Sequence, residues 1–404
     1  MKKNLGKNIY WMLMAGMICC FSACNNDSLS ESQLESFLKY YAAGINDNFG
    51  TEVIQTAGGY AIMGNFESGS GQKDIFVIFT DEYGRQRTTE PTFIGSPNLS
   101  DHGHSMIRLG DGFLISGSSY NSNTAQRWGY LVNISADGTV LWERRYSGYQ
   151  ELEFRDAFLA NDGHLIMTGY SIRNTGNDME AIYFKAETDG DSLRCRSYFG
   201  PNYNDVGVAI VEHQNRYHIL ITRTDVDSPS QTRIRMLNTN TNGWGPTELV
   251  FFTEYLSGRD LVVNDAGRMF LLGNIEDPAS RISRIFLEEL LLTGLDNDIT
   301  NHGNSATTQD LESWHATSFS PVGAEGLAIG GWQETNQLDD DILFLQVDND
   351  FNIQKSLTFG SQGSQTSQNI IYTRDNGYAL TGSTDLAGAK TSMLLKIDSN
   401  GELK

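Results

Sequence analysis

The chain is 404 residues long, with 50 acidic and 29 basic side chains and a formal charge of −21. So acidic a surface repels phosphate backbones and anionic lipid, and no run of Lys or Arg offsets it, which disfavours nucleic-acid binding. With 39% apolar residues and only four cysteines, the fold has to be held by its own hydrophobic core.

Taken in chain order, Lys2, Lys3 and Lys7 precede an apolar stretch from Ile9 to Ala23. That is the layout of an export signal, and the stretch is too short to span a bilayer comfortably. Its end, Phe21-Ser22-Ala23-Cys24, resembles the lipobox of bacterial lipoproteins, with Phe21 where that family usually has Leu. The resemblance implies that residues 1–23 are removed and that Cys24 is lipidated. An ordinary signal peptide cut near Ala23 is the alternative. Cleavage takes away three lysines and no acid, moving the charge from −21 to −24. Residues 24–35 then read as the lipidated cysteine and a polar, flexible tether. Cys19 and Cys20 leave with the signal, so Cys195 is the one cysteine of the folded part. It lies in the strand-like run Ser192–Tyr198, where an inert buried thiol is expected.

Beyond residue 35 one short pattern returns: Gly59-YAIMG, Gly112-FLISG, Gly163-HLIMTG, Arg216-YHILITR, Gly267-RMFLLG, Gly326-LAIGG and Gly377-YALTG. Anchored on Gly64, Gly117, Gly169, Arg223, Gly273, Gly331 and Gly382, the intervals are 53, 52, 54, 50, 58 and 51 residues. Four short strands fill a period of about 40 to 50 residues, which predicts an all-β fold: a seven-bladed β-propeller of four-stranded antiparallel blades over residues 36–404. The second copy shows the strands best, as His104–Leu109, Phe113–Ser118, Trp128–Ile134 and Val140–Tyr146. Arg284–Leu292 has the look of a short helix, but its place in the repeat makes it a strand. The last copy supplies only three strands, and Phe37-LKYYAAG resembles the fourth strands Leu141-WERRYSG and Leu193-RCRSYFG. Residues 36–43 are therefore expected to complete the final blade as a 3+1 closure, which removes unpaired edges.

The DGGYxxxG strand, the xDSNG turn and the aromatic fourth strand together resemble the repeat of β-propeller lipoproteins of the Bacteroidota, across nearly all of residues 36–404. That resemblance implies a lipid-anchored domain at the cell outer membrane, facing the periplasm or the surface. It implies no activity, because this fold hosts unrelated functions.

The loops joining second to third strands, such as Ser119–Arg127, Thr224–Thr232 and Ile275–Ser283, share one face with the blade-joining loops, the longest being Thr293–Ser313. Tyr120, Trp128, Tyr149, Tyr203, Trp314 and Trp332 lie there and are the candidate ligand-binding residues, since pyranose faces stack on rings. Packing between blades is the alternative for Trp128 and Trp332. Asp339–Asp341, Asp296 with Asp298, and Asp225 with Asp227 invite a metal reading. Oxygen-rich loops suit calcium, but EF-hand spacing is absent, and no cofactor or metal site is expected. Asp341 shares its repeat position with Asp74, which argues for a structural task. Asp101, Asp156, Asp205, Asp260 and Asp310, near first-strand starts, are the carboxylates a channel hydrolase would use. The seven histidines form no metal or triad pattern, and no catalytic residue is assigned. The expected function is a non-enzymatic binding or scaffold module for a glycan or envelope protein; the alternative is a carbohydrate-active hydrolase or lyase using channel carboxylates.

Overall fold

The computed structural model describes residues 37–43, 46–68, 71–198, 202–250, 255–293, 298–308, 313–335, 339–361, 363–386 and 388–403. The expected signal segment, Cys24, the expected tether and Asp310 lie outside these. The described residues contain no helix and pair as antiparallel strands. Five sheets have four strands each; a longer sheet consists of two four-strand ladders joined by a single parallel bridge between Glu151 and Arg127. Each repeat of the sequence occupies one ladder, called a blade below and counted from Asn48.

The central parts of the second and third strands are buried, almost wholly so in Leu165–Ile172 and Ile75–Phe79, because neighbouring blades cover both faces. Outer strands such as Val140–Tyr146 are largely exposed. A separate apolar cluster fills every junction between consecutive blades. The first strands (Asn48–Thr56, Ser100–Leu109, Glu151–Leu159, Tyr203–His213, Leu256–Val263, Trp314–Val322 and Gln365–Tyr372) touch one another in succession, the last against the first, and so ring a central channel.

The ring closes as expected. Strand Phe37–Tyr41 runs antiparallel to the last strand, pairing Phe37 with Lys396 and Tyr41 with Ser392. It also ties the last blade to the first: Phe37 and Tyr41 pack with Val53, Tyr60 and Phe76, and the Tyr41 hydroxyl donates to the Gly84 carbonyl at 2.8 Å.

Two expectations need correction. Strand register aligns Ile221, not Arg223, with the repeat's closing glycines, since Gly207 faces Ile221 as Gly50 faces Gly64. The repeat then becomes more regular, with Ile221 equally spaced from Gly169 and Gly273; side-chain pattern alone misplaced it by one full strand period. The segment 293–313 is not mainly a loop either. Its central part, Asp298–Thr307, is the outer strand of the fifth blade, paired with Ser283–Thr293. The segment DITNHGNSAT is polar and carries no apolar alternation to mark it as a strand.

Every first strand carries a β-bulge at the same place, at Thr51, His104, Arg155, Val208, Arg259, Thr317 and Gln368. A bulge puts two residues opposite one and re-aims the side chains that follow. In four blades the residue after it accepts a backbone N–H of the next blade. Asp156 accepts from the Ile210 N–H at 2.8 Å and Asp260 from Phe319 at 3.2 Å. Ser318 accepts from Ile370 at 2.9 Å, and Asn369 from Val53 at 3.2 Å.

Candidate functional site

Tight hairpins occupy one face of the ring. In Ser135–Thr139 the Asp137 carboxylate accepts from the Thr139 N–H at 3.2 Å while Gly138 adopts φ 90°. Asp348 and Asp398, which open their own turns, accept from the N–H four residues on, as the Ser135 hydroxyl does from Thr139. The opposite face bears the long loops, and here the structure opens two clefts separated by the loop Thr224–Thr232.

The smaller cleft, about 140 Å³, is lined by Tyr203, Arg223, Arg233, Arg235, Asp225 and Gln231. Asp205 is fully buried beneath it and binds Arg223 in two-pronged fashion at 2.6 and 2.7 Å. The Arg223 guanidinium lies 4.4 Å above the Tyr203 ring. Asp225 holds its own loop, accepting from the N–H groups of Asp227 and Ser228.

The larger cleft, about 450 Å³, lies over the fifth blade. Its walls include Tyr255, Ser257, Arg259, Glu276, Arg281 and His315. The loops Thr224–Thr232 and Ile275–Ser283 form its rim through Pro229, Ser230 and Pro278. His315 is stacked on Trp332, with centroids 3.7 Å apart and planes 9° from parallel. Burial, and then the charge of Arg259, push the His315 imidazole down to about 4, so it is neutral at physiological pH.

A third group sits where the second and third blades meet. Glu153, 3% exposed, receives His104 at 3.1 Å, Arg127 at 3.1 Å and Arg155 at 2.6 Å. Burial alone would raise this carboxyl; the cationic and hydrogen-bonding partners outweigh it and hold Glu153 well below the usual range. His102, 4.4 Å from His104 between ring centroids, is pushed down to about 3 by burial and by its neighbour. Glu151, 3.2 Å from Arg127, supplies a second carboxylate, so two acids balance two arginines and the group binds the blades together more than it offers free charge.

The candidate carboxylates divide into two sets at different depths. Asp101 and Asp205 occupy the position two residues before the small residue that precedes the bulge, where other blades carry Leu152 and Leu256. Asp101, 0% exposed, is held by Arg145 at 3.3 Å and by the Ser96 N–H at 2.8 Å. Asp156 and Asp260 follow the bulges and hold backbone N–H groups of the next blade. Burial raises Asp156 to about 6, and burial together with Asp156 raises Asp260 to about 7. Glu52, at the same position of the first blade, is raised for the same reasons. All four aspartates thus have structural partners.

Of the candidate aromatics, Tyr203 lines the smaller cleft and Trp332 backs the larger one. Tyr120 and Trp128 are half-buried near Arg127, whose guanidinium lies 5.3 Å over the Tyr120 ring. Tyr149 packs into the junction of blades two and three, its hydroxyl 3.4 Å from the Cys195 sulfur, and burial pushes it up to about 12. Cys195 is half-buried, and burial raises its thiol as well. Trp314 is not a surface ligand residue: it is 6% exposed inside the core between blades five and six. It takes the buried position filled by Leu152 and Leu256 elsewhere, a signal already present in the repeat alignment. Sequence reasoning passed over Tyr255, Arg259, Arg281 and His315. None belongs to a local motif, and three different segments bring them together. Asp341 and Asp74 do share a setting: each carboxyl packs against a glycine, Gly360 or Gly95, whose Cβ would stand 1.7 or 2.1 Å from Oδ1.

No protein-family model and no curated protein matches the chain. Solved structures do resemble its fold. An ulvan lyase from a new family of polysaccharide lyase, PL25, superposes with TM-score 0.59 at 9% identity, covering 88% of this chain and 95% of that one. The same kind of enzyme bound to -[GlcA(1-4)Rha3S]- gives 0.58 at 8% identity, with the same coverage. The β-propeller domain of the trilobed protease from Pyrococcus furiosus gives 0.51 at 10% identity, covering 89% and 96%. At such identities the likeness shows a β-propeller and nothing of activity.

Proposed function

We propose that this protein is a lipoprotein of the outer membrane, anchored through Cys24, whose propeller binds a polysaccharide on its long-loop face. The observation that carries the reading is the larger cleft. Its open shape, the Tyr255 ring and the flat His315–Trp332 stack supply what pyranose rings pack against, with polar groups at the edge for hydroxyls. That an ulvan lyase of similar fold is known with an acidic saccharide bound is a property of that enzyme, and it supports trying sugars first. Affinity electrophoresis of residues 25–404 through gels containing a panel of polysaccharides tests the reading. Retardation by at least one polymer, abolished by Tyr255→Ala, is the expected result. Normal mobility in every gel, with recovery of a specific envelope protein on the same domain, would replace the glycan with a protein partner.

A carbohydrate-active enzyme is the second reading, and one observation favours it over the channel-carboxylate version. His315 is neutral and shares the cleft with Tyr255, so a proton acceptor and a proton donor face one space. Prolonged incubation with any retarding polymer, followed by assay for new reducing or unsaturated ends, separates enzyme from binder. His315→Ala abolishes product if the enzyme reading holds.

A further inference from the structure

The first strands of the third and fifth blades can be compared position by position, because both carry a bulge at the same register. In the third blade the two residues flanking the position before the bulge, here Phe154, are Glu153 and Arg155, and they form an ion pair at 2.6 Å. In the fifth blade the same two positions hold Ser257 and Arg259. The arginine is repeated and its acid is not. Arg259 accordingly has no hydrogen-bond or ion-pair partner among the described residues, and its side chain stands exposed within the larger cleft. Arg281 also lines the cleft, where Glu276 is the one lining carboxylate, and Glu334 lies 3.4 Å from the neutral His315 ring. An uncompensated guanidinium in a concave site is unusual in any protein, and more so in one of charge −21.

We propose that the cleft over the fifth blade is an anion subsite, in which Arg259 grips the carboxylate or sulfate of an acidic polysaccharide. The planar fork of a guanidinium matches both groups with paired N–H donors. Ser257, two residues earlier and without charge, leaves those donors free. The flat face of His315 stands beside them for the sugar ring. Net negative charge disfavours polyanions over most of the surface, and in the smaller cleft Arg223 and Arg235 are already paired with Asp205 and Glu248. The inference rests on the polysaccharide reading above for its ligand, but not for the site itself.

Titration calorimetry of residues 25–404 with polygalacturonate, dextran sulfate and neutral dextran tests it, using three variants. Arg259→Gln removes the cation. Ser257→Glu keeps the arginine but supplies the internal partner that the third blade has. Arg259→Lys keeps charge without the fork. Both Arg259→Gln and Ser257→Glu are expected to weaken binding of a charged polymer by about tenfold or more, and Arg259→Lys by less, with melting temperatures unchanged. Whichever charged polymer shows the loss identifies carboxylate or sulfate. Equal binding by wild type and variants overturns the subsite while leaving the polysaccharide reading in place, and binding of dextran alone does the same. If no polymer binds wild type, the polysaccharide reading falls. Thermal shift with free galacturonate and sulfate then decides the subsite: protection lost in Arg259→Gln upholds it, and no difference overturns it.

Discussion

Asp260 and Asp156 show how one carboxylate serves structure at a cost that depends on pH. Each holds a backbone N–H of the neighbouring blade, yet their protons leave only near pH 7 and 6, because burial disfavours the charged form. Since the folded chain binds these protons more tightly than the unfolded one, the stability they lend is complete below the ordinary carboxyl range. It is lost as pH rises through about 6 to 7. The melting temperature should therefore fall between pH 5 and pH 8, and Asp260→Asn should flatten that slope. Asn is a fair replacement, because Asn369 already accepts the equivalent bond from Val53 in the last blade. An unchanged slope in the variant would show that another group sets it. Glu153 behaves in the opposite sense, since its cationic partners hold it ionised. Glu153→Gln leaves His104, Arg127 and Arg155 facing one another, and should lower stability by about 3 kcal/mol, read from the denaturant midpoint. The same change frees Arg155 and is expected to create weak anion binding at the third blade, the reverse of what Ser257→Glu does at the fifth.

Among the elements, the first strands carry the packing logic. Most blades place a small residue before the bulge because a side chain of the previous blade presses there: a Cβ on Gly207 would stand 2.0 Å from the Thr168 hydroxyl. The third blade departs from this with Phe154, which is admitted only because Gly129 lies against its ring, where a Cβ would approach to 2.7 Å. Phe154→Ala should cost about 3 to 5 kcal/mol, whereas Gly129→Ala should destabilise by forcing that ring to move; equilibrium unfolding distinguishes these from a silent surface change. The closing strand gives a further prediction. Deleting residues 37–43 removes the pairing with Ser392–Lys396 and the Tyr41 tie to Gly84, so the melting temperature should drop and aggregation rise. Deleting residues 25–31 should change neither, and equal melting of the two truncations would refute the closure's contribution.

For the molecule as a whole, the fold was legible because it is written seven times. Strand order, the tight-turn face and the closing strand all follow from a repeated apolar pattern, which local noise cannot erase. The site was legible only in its location, the long-loop face. What makes Arg259 distinctive is the absence of an acid at Ser257, and that is seen only after strand register aligns it with Glu153. Register depends on bulges that shift pairing by one residue, and nothing in the local composition of Thr51, Val208 or Gln368 announces a bulge. Trp314 misled for a related reason: whether a strand residue faces core or solvent turns on that same single-residue register.

The pairing of Phe37–Tyr41 with Ser392–Lys396 also sets an order of events in time. Of the paired strands, the one that locks the ring is synthesised first and can find its partner only after every other blade has been synthesised. Until then the final blade exposes an open edge, and the early strand has nowhere to lie. Among the paired strands this contact spans the longest sequence separation and so has the largest loop-closure entropy, and the last step of folding should be slow relative to blade formation. Refolding followed by a probe at Tyr41 should lag behind one placed in the second blade.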